Sequence, residues 1–254
     1  MARRLTLMKR FIVLKLSMLV MVLIATASTC IRTHSDNLIK LGQYDLTMPE
    51  PSGLALSPDG HHLWIVSDQK GQIYQTDLNG RIINQVDIKS SDLEGVAISS
   101  DGQSLFVLDE SKNRIIEYNL EGDEINKIEL ETKVSNKSGP EGLDIDWSNG
   151  HFIVVNEKNP RLLMELNEKG ELIRQNEITQ LNDLSAITIN PENKELWILS
   201  DEDQKLIRFN AASNMMDVYL IDINQMEGLA IDFKTKRIYI VSDAEEELHI
   251  FEYK

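Results

Sequence analysis

Glu94, Glu141 and Glu227 each stand immediately before a glycine that opens an apolar run. Ser52 and Ser185 hold the matching place in two further runs, before Gly53 and Ala186. Farther along the same five runs come Asp68, Asp109, Asn156, Asp201 and Asp243. Acid and amide oxygens converge wherever such runs are set side by side. A hard divalent cation takes six to eight oxygens at ~2.3–2.6 Å, and carboxylates that face one another need neutralising. The expected metal ligands are therefore Glu94, Glu141, Glu227, Asp109, Asn156, Asp201 and Asp243, with calcium the cation they suit. The sequence holds no His–Cys cluster of the kind zinc prefers. A plainer role also fits the Asp/Asn row, since an acid closing a strand often accepts from the N–H groups of the next turn. Nothing about a strand start asks for glutamate, so the three Glu carry more weight.

Asn156-Glu157-Lys158-Asn159-Pro160-Arg161 breaks the pattern on the same side. Glu157, Lys158 and Arg161 are expected to touch a ligand, the two cations suiting a phosphate- or carboxylate-bearing one. No serine or cysteine is matched with a base in a nucleophilic arrangement. His61, His62, His151 and His249 fall at unmatched positions and read as surface residues.

The elements that position these residues are copies of one unit. GLALSPDGHHLWIVSD (53–68) returns as GVAISSDGQSLFVLD, GLDIDWSNGHFIVVN, AITINPENKELWILSD and GLAIDFKTKRIYIVSD, with starts separated by 42, 47, 44 and 42 residues. Periods of this size mark repeat architectures. Each copy has room for four short strands, with turn signals such as Asp59-Gly60, Asp101-Gly102 and Asn79-Gly80 between them. Four antiparallel strands at this spacing describe a β-propeller blade. A solenoid has a shorter period, and no helical stretch separates the strands as a parallel α/β fold requires. The expected fold is an all-β, five-bladed propeller over residues 38–254. The fifth copy lacks an outer strand, which residues 38–46 are expected to supply, so that no blade is left open. Trp64, Phe106, Phe152, Trp197 and Tyr239 share one register on the second strands and are read as inter-blade packing. The extra length between the second and third copies, 131–139, sits on the mouth side as a lid or a tolerated insertion.

Residues 1–30 begin with Arg3, Arg4, Lys9 and Arg10 and continue into an apolar run, which reads as an export signal. Three endings are written there. Ala25-Thr26-Ala27 fits ordinary cleavage. Ala27-Ser28-Thr29-Cys30 fits a lipoprotein signal with lipidation at Cys30. Phe11 to Thr29 approaches the length of an uncleaved anchor helix, interrupted by Lys15. All three place the rest of the chain outside the cytoplasm, in the cell envelope or periplasm, touching the membrane only through its N-terminus. Residues 31–37 read as a tether. Cys30 is the only cysteine, so no internal disulfide can form. The five basic residues of the signal have no acid beside them, which leaves 21 Lys+Arg against 41 Asp+Glu beyond it. Such a surface repels nucleic acid and favours cations or basic partners.

The segments EPSGLALSPDG, DLEGVAIS, GPEGLDID, VVNEKNPRLL and MEGLAID together resemble the SdiA-regulated family of bacterial envelope proteins. The resemblance covers about residues 38–254. It implies a five-bladed propeller behind an N-terminal membrane segment and assigns no activity. More distantly the repeats are similar to NHL-type, gluconolactonase-like and phytase-like propellers, some of which hold metal with carboxylates at the channel mouth. Two readings follow. One is a monomeric, membrane-tethered binding module for a small solute, a glycan or an envelope protein. The other is a metal-dependent hydrolase of a lactone or phosphoester, with Glu94, Glu141 or Glu227 activating water.

Overall fold

Short apolar runs rich in β-branched residues, bounded by Asp-Gly and Asn-Gly turns, form the strands the repeat predicts. A computed structural model of the chain describes residues 32–33, 38–90, 92–131 and 138–254. The stretch expected to be an export signal, Cys30 and the middle of the 131–139 connection lie outside the described residues. The innermost strands are Pro51–Leu56, Leu93–Ile98, Pro140–Asp146, Ala186–Ile189 and Met226–Asp232. From each, three further strands follow outward in antiparallel order, giving five separate sheets. The innermost strands pack against one another in sequence, and the fifth packs against the first. The ring is a five-bladed β-propeller. In blade 5 the outer strand is Leu38–Asp45, paired antiparallel with Glu247–Tyr253, so the two ends of the chain close one blade as expected. Within the stretch read as a tether, Arg32 and Thr33 pair parallel with Asp217 and Val218 on the outside of blade 4.

Burial follows strand position. The second strands, such as Leu63–Ser67 and Leu196–Ser200, are buried along their whole length because a neighbouring blade covers each face. Outer strands such as Leu172–Glu177 are largely exposed. The core is five clusters rather than one, each lying between two consecutive blades. The repeated aromatic fills these seams: Phe106 and Phe152 of adjacent blades lie 5.7 Å apart, and Trp197 lies 4.9 Å from Tyr253 of the next blade.

In four of the five blades a glycine permits the close approach of the inner strands. A Cβ on Gly53 would lie 2.2 Å from the carbonyl oxygen of Glu94, and one on Gly228 would lie 2.3 Å from that of Ser52. The contact at Gly228 joins the last blade to the first. Gly228→Ala is therefore expected to destabilise the protein by about 1–3 kcal/mol, the usual penalty of overpacking, read as a lowered midpoint in denaturant. An unchanged midpoint would show that the seam has slack.

A candidate cation-binding mouth

Two rows of side chains meet at one end of the ring. The inner row is Ser52, Glu94, Glu141, Ser185 and Glu227, at or just before the start of each innermost strand. The outer row follows the second strands. Their last residues are Ser67, Asp109, Asn156, Ser200 and Ser242, all fully buried. These side chains serve the turns. Ser67 Oγ donates to the Pro49 carbonyl at 2.7 Å, Ser242 Oγ to that of Asn224 at 2.6 Å, and Asn156 Nδ2 to those of Lys158 and Pro160. Asp109 accepts from Lys112 Nζ at 3.0 Å and Arg114 Nη2 at 3.1 Å. Burial pushes its carboxyl up, but bonds from Ser90, Lys112 and Ser111 outweigh that and hold it below the usual range.

The next position along holds Asp68, Glu110, Glu157, Asp201 and Asp243; all but Glu110 line the mouth, and Glu110 Oε1 accepts from the Gly139 N–H at 2.7 Å. Four of these five begin with the same backbone bond. The N–H of Asp68, Glu110, Glu157 and Asp243 donates to the carbonyl of Glu50, Asp92, Gly139 and Gln225 respectively. Asp109 and Asn156 therefore belong to the turn-closing row, and in blade 3 it is Glu157 that lines the mouth. A slip of one residue reverses the side a strand residue faces.

The mouth is a cavity of ≈ 320 Å³ lined by ten carboxylates and one lysine. Of the expected residues, Glu94, Glu141, Glu227, Asp201, Asp243, Glu157 and Lys158 line it. Arg161 does not, its guanidinium donating to the Leu181 carbonyl at 2.9 Å. Lys158 is held by Glu157 at 2.5 Å and Glu202 at 2.9 Å. Burial disfavours its charge, yet these two carboxylates keep it above its ordinary value. The pair of free cations expected for an anionic ligand is thus not assembled here. Glu50, Asp68, Asp183 and Glu202 are lining acids outside the expected set.

Crowding of these acids is visible in their protonation. Burial, followed by repulsion from Asp68 and Glu110, raises Glu94 to about 7, although Ser52 Oγ donates to its Oε2 at 2.6 Å. Glu227 is raised to about 8 by burial and by the charges of Glu94, Asp201 and Asp243. Glu141 goes well above the usual carboxylate range, again through burial first and then Glu94. Asp68, Asp201 and Asp243 shift upward for the same reasons. Such a site gains from any bound cation.

Asp68, Asp92 and Glu94 each bring an oxygen within 4.8 Å of the other two. Opposite ligands across a calcium shell with ~2.4 Å bonds are ~4.8 Å apart, so the three oxygens fit one ion. Asp92 has φ 66°, and Glu50 and Gln225, at the same place in blades 1 and 5, have φ 45°. Left-handed backbone at non-glycine residues is strained and gathers at functional sites.

Residues 42–246 match the SdiA-regulated family. The chain belongs to that family. Among solved structures, the glutaminyl cyclase of Myxococcus xanthus superposes with a TM-score of 0.68 at 14% identity, over 88% of this chain and 98% of that one. The virginiamycin B lyase of Staphylococcus aureus gives 0.52 at 19% identity, over 83% and 69%. At these identities the likeness is one of fold. A comparison with curated proteins gives no match. The SdiA-regulated fold thus presents an acidic mouth built from all five blades, with the glycine of the inner strand setting how closely the glutamates gather.

Proposed function

We propose that this SdiA-regulated protein is a binding module of the cell envelope, tethered through its N-terminal segment, whose mouth takes up a divalent hard cation and presents it to a partner. The observation that carries this reading is the meeting of ten carboxylates with a single, already paired lysine around one opening. Oxygen-only donors at variable spacing suit calcium better than magnesium, which demands a tight octahedron. A cation held by some of these oxygens keeps open positions toward solvent. Carboxylates or hydroxyls of a glycan, a small solute or an envelope protein would complete its shell. Calorimetry of the purified full chain with calcium tests this. Heat of binding and a raised melting temperature are expected, and the absence of both overturns the metal reading.

One observation favours a hydrolase. Glu94 titrates at about 7, near the optimum for a general base or acid at neutral pH, and Glu227 at about 8 lies in the same cavity. A bound cation would polarise a lactone or phosphoester oxygen while Glu94 moves the proton of water. Turnover across a panel of such esters, lost in chelator, would decide for it. No turnover across the panel leaves the binding module.

A further inference from the structure

His249 looks like a solvent-facing residue of an outer strand, yet it is 2% exposed and neither of its ring nitrogens has a hydrogen-bond partner among the described residues. His249 sits on the third strand of blade 5, between Ile240 of the second strand and Gln43 of the outer strand Leu38–Asp45. A buried imidazole nitrogen that makes no hydrogen bond calls for something else to satisfy it.

The ring is aimed at two carboxylates. His249 Nε2 lies 3.3 Å from Oε2 of Glu245 and 3.3 Å from Oε2 of Glu247. All three ligand atoms fall within 4.8 Å of one another. Glu247 and His249 are two apart on one strand and so share a face, while Glu245 reaches in from the preceding turn. We propose that Glu245, Glu247 and His249 form a second metal site, separate from the mouth, for a zinc-class ion. Zinc binds imidazole nitrogen at ~2.0–2.1 Å and carboxylate oxygen at ~2.0–2.2 Å, and the edge of such a tetrahedron is ~3.3–3.4 Å. The two N···O separations match that edge. Mixed nitrogen and oxygen donors also distinguish this site from the oxygen-only mouth, because imidazole selects borderline ions over calcium.

The carboxylates are oriented from elsewhere in the chain, as ligands of a built metal site usually are. Asn224 Nδ2 donates to Glu245 Oε1 at 3.0 Å, and Gln43 Nε2 donates to Glu247 Oε2 at 2.6 Å. Lys40 Nζ donates to Gln43 Oε1 and brings one positive charge to the rim, against the two carboxylates. Glu245 is solvent-exposed and leaves the fourth position open. Gln43 belongs to the closing strand, so the site is complete only when the two ends of the chain have met. The ion would staple the closure of the ring.

The test is zinc titration of the full chain after chelator treatment and dialysis, with cobalt as a spectroscopic substitute. Expected is a site with a tetrahedral cobalt spectrum. It should be lost in His249→Gln, weakened more than about tenfold in Glu245→Gln, and kept in Glu141→Gln. Glu245 is exposed, so its variant reports even where His249→Gln fails to fold. Three results would overturn the proposal. One is no zinc binding by the natural protein; another is affinity unchanged in both His249→Gln and Glu245→Gln; the last is loss in Glu141→Gln alone, which would put the ion in the mouth.

Discussion

Glu141→Gln is expected to raise the stability of the protein in chelator at pH 8 and to remove most of its response to calcium. Glu141 is held well above the usual carboxylate range. Burial disfavours its charge, and Glu94, Glu110, Glu157 and Glu227 all repel it. Glutamine keeps the shape and the hydrogen-bonding capacity but carries no charge. The repulsion disappears, and with it one of the negative charges on which cation affinity depends. A gain of about 0.5–2 kcal/mol is the usual yield when a strained functional group is neutralised. At this chain length each kcal/mol moves the melting temperature by roughly 2–4 °C. Calcium affinity should fall by more than about tenfold, since calcium sites are tuned by ligand charge. Melting curves with and without calcium, run beside the natural protein, read both effects. A variant that melts lower in chelator would mean that Glu141 holds the mouth together. A variant that binds calcium normally would remove Glu141 from the ligand set.

The ring was legible because its determinants repeat. Gly53, Gly95, Gly142 and Gly228 recur where the inner strands nearly touch, and the aromatic series through Trp64 and Trp197 recurs where the blades meet. The three inner glutamates were legible for the same reason, each being tied to one of those glycines or to its strand. The outer row was misread by one residue because the letters mislead. Blades 1, 4 and 5 end their second strand with Ser-Asp, whereas blades 2 and 3 end it with Asp-Glu and Asn-Glu. Matching acids by type aligns Asp68 with Asp109. Counting fourteen residues from the inner glycine aligns Ser67 with Asp109 and Asp68 with Glu110, which is what the strand pairing shows. Spacing was the better guide because register, not residue type, decides which side chain faces the opening. His249 was beyond the sequence for a different reason. Its strand partner Gln43, which also orients Glu247, lies some two hundred residues away in the chain. Alternation within one strand carries no record of a partner that arrives from the other end.

In chelator, the protein should lose stability as the pH rises from about 5 to 8.5, the opposite of the usual carboxylate trend. Glu94 at about 7 and Glu227 at about 8 hold protons in the folded state that the unfolded chain releases near the ordinary glutamate value of 4.5. Glu141 moves the same way. Between those limits the folded state binds more protons than the unfolded one, so stability falls with pH. The contribution of these groups is fully present below about 4.5 and is gone above about 8. Asp109 and Asp146 act in reverse. Their carboxyls are held low by Lys112 and Lys194 among other partners, despite burial, so what they contribute is present at neutral pH and lost as acid protonates them. The two limbs together predict a maximum near pH 5–6. Calcium should flatten the upper limb, because an ion in the mouth replaces the protons that the glutamates otherwise keep. Calcium affinity should then climb with pH by up to tenfold per unit for each proton displaced. Melting temperatures at steps across pH 4–9, in chelator and in calcium, measure both slopes. A chelator profile that is flat or rising between pH 5 and 8.5 would mean that the mouth carboxylates are relaxed by water, and the electrostatic case for a bound cation would fail with it.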